Sequence, residues 1–476
     1  MNLTHMIGGE RREGDASLES RNPSNTDEVV ARFPAGGQQE VDDAAAAARA
    51  AFPAWSMASP EVRADLLEKI AATIFERADQ LGELLSREEG KTRAEGKGEV
   101  MRAARIFRYF GGEALRRHGQ TLESTRPDLD VATYREAVGV IGLITPWNFP
   151  IAIPAWKAAP ALAFGNTVVM KPANVTPATA AALADIIAEC GMPPGVFNMV
   201  LGRGNVGQAL VDHPDVDAIS FTGSQVTGAK VAERAMKRQA RVQLEMGGKN
   251  PLVVLADADL DKAVNIALDG GFFQTGQRCT ASSRVIVENA IHDKFVEALA
   301  EKAKALVIGP ALDDGTQVGP ASSEQQFAQN IDYIKIATGE GGKLVAGGQE
   351  ITCGTPGYYM SPALLADTDP DMRINREEVF GPVVSTVRAK DYDAALALAN
   401  QGEFGLSAGI VTTSLAKSRH FRKHVRAGMV MLNLPTAGVD YHVPFGGMRR
   451  SSYGAREQGF AAVEFYTQIK TVYTGD

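Results

Sequence analysis

The sequence predicts an α/β protein of two lobes, each built on a parallel β-sheet. Short apolar runs typical of strands alternate with segments whose apolar residues recur at helical spacing. The strand-like runs are 138–144, 167–170 and 196–201, and the helical segments between them are 155–163 and 178–188. This alternation favours βαβ crossovers, which build a parallel sheet with helices on both faces. A second series of the same kind runs from 251 to about 433, so we expect the functional site in the cleft between the lobes.

Two further parts lie outside these series. Residues 41–117 are rich in Ala, Glu and Arg, and apolar positions such as Leu67, Ile70 and Ile74 recur at helical spacing, which predicts a helical layer. A short segment, 130–135, has the alternating pattern of a strand, and the chain ends in a tail, 464–473.

Composition excludes several classes of function. The chain has 476 residues, too many for one ordinary core, so two or three domains are expected. Its 49 Lys and Arg against 57 Asp and Glu give a formal net charge of −8, without a basic run that could follow a nucleic-acid backbone. The amino terminus lacks the apolar core of a signal peptide, and no apolar run approaches the length of a bilayer span. We therefore expect a cytoplasmic protein without nucleic-acid or membrane partners.

Cys279 is the strongest candidate for a nucleophile. It is flanked by Gly and Gln on one side and small residues on the other, within 272–281. Glu245 interrupts the apolar end of a strand and precedes two glycines, which let backbone or ligand approach closely. A thiol and a carboxylate can together form and hydrolyse an acyl-enzyme. The other two cysteines, Cys190 and Cys353, are expected to be small buried apolar side chains.

The sequence supports no metal site. The odd number of cysteines and their spacing favour neither a disulfide framework nor zinc. His420 and His424 have the spacing of two ligands on one helix face, but basic residues surround them. A solvated basic helix face is the interpretation we adopt, so we predict no metal.

Two glycine loops compete for the phosphates of a dinucleotide. Residues 202–207 fit G-x-G-x-x-G between a strand and a helix, with Gly204 and Gly207 as the later glycines, although a tight turn has the same composition. In 221–228, Ser224 can cap a helix whose free N–H groups face a phosphate. The residues alone leave both interpretations open.

Six segments in order along the chain indicate a family. They are Pro146-Trp147-Asn148-Phe149-Pro150, Lys171-Pro172-Ala173, Phe221-Thr222-Gly223-Ser224, Leu244-Glu245-Met246-Gly247-Gly248-Lys249-Asn250-Pro251, Gly276-Gln277-Arg278-Cys279-Thr280 and Glu377-Glu378-Val379-Phe380-Gly381-Pro382. They resemble the NAD(P)-dependent aldehyde dehydrogenase superfamily over nearly the whole chain. The resemblance implies an aldehyde dehydrogenase-like α/β fold of two Rossmann-like parallel-sheet domains and a small β oligomerisation element. The cofactor-binding domain would be 1–117 and 136–247, the catalytic domain 248–446, and the oligomerisation element 118–135 and 447–476.

The resemblance also assigns chemical roles. Cys279 would attack the aldehyde, and the thiohemiacetal would become a thioester as a hydride passes to the nicotinamide. Asn148, with the backbone N–H of Cys279, would stabilise the oxyanion. Glu245 would activate the hydrolytic water, and its presence is typical of hydrolytic rather than CoA-acylating members. Lys171 would belong both to this catalytic set and to the cofactor site.

NAD or NADP is the implied cofactor. Ser224 would contact the pyrophosphate, Lys171 the adenine ribose, and Glu378 and Phe380 the nicotinamide ribose and ring. Many NAD-preferring members have a glutamate where this chain has Asn174, which would not repel a 2′-phosphate, so NADP stays open. The full predicted set is Ile144, Thr145, Pro146, Trp147, Lys171, Ala173, Asn174, Gly204, Gly207, Phe221, Thr222, Gly223, Ser224, Gly228, Met246, Gly247, Glu378 and Phe380.

Two arginines bear on the substrate. Arg278 precedes the nucleophile, and Arg102 matches a helix position that lines the substrate tunnel in relatives; for each, an ordinary structural charge is the competing interpretation. Guanidinium groups can clamp a carboxylate, which favours an aldehyde with a distal acid group. The predicted substrate-binding set is Arg102, Phe149, Trp156, Arg278, Thr280 and Phe445.

The segments 154–157, 276–284, 437–440, 444–452 and 456–459 look like the α-ketoglutaric semialdehyde (2,5-dioxopentanoate) dehydrogenases, whose product is 2-oxoglutarate. Trp156 before Lys157 makes a succinate semialdehyde dehydrogenase less favoured. Another semialdehyde, a phosphorylated aldehyde or an aromatic aldehyde stays open, as does a catalytically inactive binding or structural protein on the same scaffold. The resemblance further implies a homodimer or homotetramer.

Overall fold

The computed structural model describes residues 1–14, 17–116 and 119–475. The helices are α1 (Gln38–Ser56), α2 (Pro60–Glu76), α3 (Ala78–Glu89), α4 (Arg93–Ala114), α5 (Ala152–Ala163), α6 (Pro177–Glu189), α7 (Gly204–Asp212), α8 (Gln225–Lys237), α9 (Leu260–Phe272), α10 (His292–Lys304), α11 (Glu324–Gly339), α12 (Arg373–Arg376), α13 (Tyr392–Ala399), α14 (Leu415–His424) and α15 (Val463–Tyr466). The predicted helical layer is confirmed as α1 to α4.

The strands form four sheets. They are β1 (His5–Ile7), β2 (Glu10–Arg12), β3 (Ser17–Asn22), β4 (Asn25–Pro34), β5 (Thr121–Glu123), β6 (Leu129–Ala137), β7 (Val140–Ile144), β8 (Thr167–Lys171), β9 (Phe197–Met199), β10 (Ala218–Gly223), β11 (Arg241–Met246), β12 (Pro251–Val254), β13 (Arg284–Glu288), β14 (Lys343–Ala346), β15 (Ala363–Ala366), β16 (Val383–Ala389), β17 (Ser407–Val411), β18 (Met429–Leu432), β19 (Ser452–Tyr453) and β20 (Thr467–Gly475). The two larger sheets are the two lobes that the sequence predicts.

The first large sheet has the order β19-β11-β10-β7-β8-β9-β1-β2. Its central strands, β7 to β11, pair in parallel, as the predicted crossovers require. Alternate side chains of β8 face opposite cores: Val168 and Met170 pack toward α2, α4 and α5, whereas Val169 packs toward α1 and α7. Because neighbouring parallel strands end at the same edge, Lys171, Gly223 and Met246 meet there.

The second large sheet has the order β14-β15-β16-β13-β12-β17-β18. All its pairs are parallel except β14 with β15. Helices α9 and α10 cover one face, and α13 and α14 cover the other. The strands β12, β13 and β16 each begin shortly after a segment with a family motif, so those segments lie at their amino-terminal ends.

A third sheet joins the two segments predicted to be strands near the chain ends. Strand β20 pairs antiparallel with β6 along its whole length, and β5 extends the sheet. The tail is not confined to this sheet, because β19 pairs with the edge strand β11 of the first sheet. The division into three domains stays a prediction, and its boundary between 117 and 118 lies outside the described residues.

Candidate active site

Five of the six family segments meet in one cavity of about 290 Å³ between the two large sheets, and Lys171-Pro172-Ala173 is not part of its lining. Strand β10 pairs with β11 so that Thr222 lies beside Glu245 and Gly223 beside Met246. These strand ends supply one wall of the cavity. The residues that line it are Pro146, Trp147, Asn148, Ile153, Trp156, Thr222, Gly223, Ser224, Glu245, Met246, Gly247, Cys279, Gln326, Gln329, Glu378, Phe380 and Phe445.

A left-handed turn after α9 presents Cys279. Gln274, Thr275 and Gly276 have φ values of 54°, 55° and 62°, and a Cβ on Gly276 would lie 2.2 Å from the Gly381 carbonyl oxygen. Each non-glycine residue in this conformation costs about 1–3 kcal/mol, so the surrounding contacts must hold the turn. They include a hydrogen bond of 2.9 Å from the Gln274 N–H to the Glu95 carboxylate.

Asn250 fixes the carbonyl group of Cys279. Its Nδ2 donates to the carbonyl oxygens of Cys279, at 2.8 Å, and Ala281, at 3.0 Å. Its Oδ1 accepts from the Ser407 N–H at 3.1 Å. The buried Asn250 amide is rigid because its hydrogen bonds are complete. It therefore fixes the backbone of Cys279 relative to the first residues of β12 and β17.

The resting thiol of Cys279 is protonated at neutral pH. Burial, together with the carboxylates of Glu378 and Glu245 and against the opposing charge of Arg102, raises the pKa of Cys279 to about 12. A thiol is a weak nucleophile compared with its thiolate, so attack requires a group that removes the proton.

Glu245, which lines the same cavity, is a candidate for that group. It lies at the end of β11 with 2% of its surface exposed, and its Oε2 accepts from the Ser452 Oγ at 2.5 Å. Its Oε1 is buried without a hydrogen-bond partner in the described part of the chain. Burial, and then the negative charge of Glu457, raise the pKa of Glu245 well above its ordinary value. A carboxyl group with a raised pKa is a stronger base once it is ionised.

Asn148 is held from two sides. Its Nδ2 donates to the Gln277 carbonyl oxygen at 3.0 Å, which leaves a second amide proton. Its backbone carbonyl accepts from the buried ammonium group of Lys91. Sequence reasoning assigned no role to Lys91, Asn250 or Ser452, although Asn250 stands in a family segment, because only the tertiary fold brings them to Asn148, Cys279 and Glu245.

The predicted phosphate-binding loops lie at the carboxyl edge of the first sheet. Ser224 caps α8, and its Oγ accepts from the Thr227 N–H at 3.4 Å, as predicted. Thr222 Oγ1 is buried and has no hydrogen-bond partner among the described residues. In the other loop, a Cβ on Gly207 would contact Ile144 and Lys171 at 3.8 and 4.0 Å. Thr222, Gly223 and Ser224 of the loop 221–228 line the cavity, whereas no residue of 202–207 is part of its lining.

The ionisable groups of the predicted cofactor site are poorly solvated. Burial lowers the pKa of Lys171 to about 8 and raises the pKa of Glu378 to about 7. Glu378 Oε1 accepts from the Gly248 N–H at 2.9 Å, and a Cβ on Gly247 would lie 1.9 Å from Oε2, so only glycine fits there. A dinucleotide fits the space beside Lys171, Glu378 and Gly247, because its ribose hydroxyls and phosphates can form hydrogen bonds with the polar groups there.

Aromatic rings line both ends of the cavity. Trp147 and Phe380 meet edge to face with centroids 5.4 Å apart, on the side of Glu378. Trp156 and Phe445 pack at 5.3 Å on the opposite side. Phe149 instead lies under the Lys91 ammonium group, at 4.0 Å from the ring centre.

The two arginines have different environments. The Arg102 guanidinium lies 5.9 Å from the Trp156 ring and donates to Gln458 at 3.3 Å, and its Nε is buried without a partner among the described residues. Arg278 departs from the expected clamp. Its guanidinium donates to the carbonyl oxygens of Asp269 and Gly270 near the end of α9, where carbonyl groups lack an intrahelical donor, and the Gly270 carbonyl also accepts from the Ser282 N–H. Neither arginine is among the residues that line the cavity.

The remaining predicted residues lie around these groups. Ile144 ends β7 and Thr145 follows it, and Gly228 packs against the Met246 side chain, where a Cβ would lie 2.5 Å from the sulfur. Ala173 and Asn174 lie beyond Lys171, with Asn174 exposed. The Thr280 carbonyl accepts from the Thr436 hydroxyl at 2.7 Å outside the cavity.

Comparison with known proteins agrees with this geometry. Residues 11–472 match the model of the aldehyde dehydrogenase family. An alpha-ketoglutarate semialdehyde dehydrogenase of Haloferax volcanii is 44% identical, with 97% of this chain and 96% of the relative covered. An alpha-ketoglutaric semialdehyde dehydrogenase of Bacillus subtilis is 40% identical, with 98% and 97% covered. The structure of a betaine aldehyde dehydrogenase from Staphylococcus aureus in complex with NAD⁺ superposes with a TM-score of 0.96 at 34% identity, with 99% and 95% covered.

The chain belongs to the aldehyde dehydrogenase family. The predicted family resemblance, the predicted fold and the predicted enzyme class, an aldehyde dehydrogenase, are thereby confirmed. Among the described residues, no helix is long and apolar enough to cross a bilayer.

Proposed function

We propose that the protein oxidises α-ketoglutaric semialdehyde to 2-oxoglutarate with NAD or NADP. The observation that carries the chemistry is the convergence of Cys279, Glu245 and Asn148 on one cavity whose other end holds the predicted cofactor residues. A thiol, a buried carboxylate and an amide donor are the groups that acyl-enzyme formation and hydrolysis require.

Each group has one task in the proposed reaction. Glu245, directly or through a water molecule, accepts the proton of Cys279, and the thiolate adds to the aldehyde carbon. The free amide proton of Asn148 and the backbone N–H of Cys279 donate to the resulting oxyanion. NAD or NADP, held by Lys171, Ser224 and Glu378, would supply the hydride acceptor for oxidation of the thiohemiacetal to the thioester. Glu245 then takes a proton from the water that hydrolyses the thioester, which releases the acid and restores the thiol.

Lys171, Ser224 and Glu378 are the proposed anchors of the cofactor. The Staphylococcus relative was solved in complex with NAD⁺, and in this chain Gly247 lies against the Glu378 carboxylate beside the cavity. Exposed Asn174 carries no charge that would repel a 2′-phosphate, so activity with NADP is expected as well.

Arg102 supports a substrate with a distal carboxylate. Its buried guanidinium has a free Nε and lies against Trp156, whose ring lines the cavity. The same positive charge opposes a trimethylammonium aldehyde, although a betaine aldehyde dehydrogenase is among the similar structures. The two relatives named for α-ketoglutarate semialdehyde agree with this choice.

The test is the rate of cofactor reduction with α-ketoglutaric semialdehyde, succinate semialdehyde, glyceraldehyde 3-phosphate, benzaldehyde and betaine aldehyde, each with NAD and NADP. We expect the highest kcat/KM with the keto-acid semialdehyde and a loss of about tenfold to a hundredfold in Arg102→Ala, from one charge-assisted contact. A preference for betaine aldehyde or benzaldehyde would contradict the substrate assignment. Absence of activity with every aldehyde would favour the non-catalytic scaffold.

We also propose that the sheet of β5, β6 and β20 joins subunits in a homodimer or homotetramer. Leu122, Ile469 and Tyr473 on these strands are 48%, 61% and 60% exposed, which is unfavourable for large apolar side chains in water. The cytoplasmic location predicted from sequence is proposed here too, and cell fractionation tests it.

A further inference from the structure

Lys91 is a buried cation directly behind the proposed oxyanion donor. It lies in the turn between α3 and α4, where Gly90 ends α3 with φ of 98° and Thr92 caps α4. Only 2% of its surface is exposed. Its ammonium group donates to the Asn148 carbonyl oxygen and, at 2.8 Å, to Glu99, with the Glu89 carboxylate at 3.8 Å.

Glu99 extends this contact along the Asn148 segment. Its Oε2 accepts from Lys91, and its Oε1 accepts from the N–H groups of Ile151 and Ala152, each at 3.1 Å. These N–H groups lie at the start of α5, where a carboxylate also interacts favourably with the helix dipole. The Lys91–Glu99 pair therefore holds both ends of the segment 148–152.

Stability alone does not explain why the Lys91–Glu99 pair is buried here. Burying two charges costs solvation energy that their attraction often only offsets, and apolar residues of similar size frequently do as well. The Lys91–Glu99 pair instead fixes the orientation of Asn148. With its carbonyl bonded to Lys91 and its Nδ2 bonded to Gln277, Asn148 has one orientation in which its second amide proton can face the cavity.

We propose that Lys91, together with Glu99, is a positioning residue that orients Asn148 toward the oxyanion formed on Cys279. The inference rests on the proposed function, in which Asn148 is the oxyanion donor. Lys91 contacts neither substrate nor cofactor and acts only through the backbone of Asn148. A donor displaced by about 1 Å loses most of its effect on a transition state, so removal of Lys91 should resemble removal of the Asn148 amide.

A double-mutant cycle with Lys91→Met and Asn148→Ala tests this. The readouts are kcat for aldehyde oxidation and the hydrolysis of 4-nitrophenyl acetate without cofactor. In the ester reaction the Cys279 thiolate displaces 4-nitrophenolate, and water then releases acetate, so the oxyanion is stabilised without a nicotinamide. We expect Asn148→Ala to lower both rates about a hundredfold, Lys91→Met to lower both at least about tenfold, and the double variant to equal Asn148→Ala.

Controls separate positioning from loss of fold. Arg87→Met removes an exposed ion pair with Glu28 one turn earlier, and it should leave both rates within about twofold, as surface pairs contribute little. The Kd for NAD should be unchanged in Lys91→Met. Should that variant fail to fold, Lys91→Met combined with Glu99→Gln removes both charges and leaves no unpaired buried carboxylate at position 99.

The outcomes are distinct. Full activity of Asn148→Ala would overturn the proposed role of Asn148, and the inference with it. Loss in Asn148→Ala with normal rates in Lys91→Met would overturn the inference alone. Multiplicative losses in the double variant would also overturn it, because Lys91 would then act independently of Asn148.

Discussion

At the scale of single residues, the site combines a thiol that is hard to ionise with a carboxyl group that is hard to ionise. Burial is the largest cause of the raised pKa of both Cys279 and Glu245, and the negative charge of Glu245 contributes to the raised pKa of Cys279. In the resting site the thiol of Cys279 therefore stays protonated, and a protonated thiol is oxidised less readily than a thiolate. Reaction begins when the proton leaves for solvent or for Glu245.

This arrangement predicts a rate of Cys279 alkylation that rises with pH beyond neutrality. The direction follows because the reactive form is deprotonated and its pKa is raised, to about 12 in the resting site. Glu378→Gln should speed alkylation above about pH 7, where Glu378 is ionised, because it removes the second contributor to the raised pKa of Cys279. Labelling by iodoacetamide, followed by mass spectrometry, measures this, with Cys279→Ala as the blank. A rate already maximal at pH 6 would contradict the account.

Lys171 carries a second prediction at this scale. Lys171→Ala should raise the KM for NAD at least about tenfold and leave cofactor-free ester hydrolysis unchanged, because the side chain is proposed to bind ribose and not the reacting carbon. An equal loss of ester hydrolysis would show that Lys171 acts on the thiol.

At the scale of elements, the turn Phe273–Gly276 decides where Cys279 lies. Gly276→Ala should lower kcat about tenfold or more and reduce Tm, because the new Cβ would meet the Gly381 carbonyl oxygen at 2.2 Å. Gly339→Ala is the matched control, since this glycine lies in α11 with open space around it and alanine favours a helix by about 0.5–1 kcal/mol. Equal Tm and kcat in both variants would contradict the role of the turn.

The same elements show how far sequence reaches. Alternating strand and helix patterns predicted both parallel sheets, and the motifs predicted Cys279, Glu245 and Asn148 at one cavity. The sequence could not predict where the Arg278 side chain points. Its guanidinium binds carbonyl groups near the end of α9, and only the folded chain brings these groups beside it. Lys91 was missed for a similar reason: in sequence it is an ordinary helix-end lysine, and its partner Asn148 is 57 residues away.

At the scale of the whole molecule, the exposed apolar residues of β20 predict an interface between subunits. Ile469→Ser with Tyr473→Ser should shift the mass in solution toward the monomer, because the substitutions remove apolar area from the edge of the third sheet. Light scattering coupled to size exclusion measures the mass, and Lys470→Ser is the control on the same strand. An unchanged mass would place the interface elsewhere.

The central claim is that Cys279 forms a thioester which Glu245 helps to hydrolyse. Glu245→Gln keeps the shape of the side chain and removes the base, so the acylated enzyme should accumulate. The most direct measurement is mass spectrometry of the Glu245→Gln protein after mixing with α-ketoglutaric semialdehyde and NAD. The account predicts one 2-oxoglutaryl adduct on the peptide that contains Cys279, formed together with one equivalent of NADH. NADH formation without an adduct on Cys279, or an adduct on another residue, would contradict it.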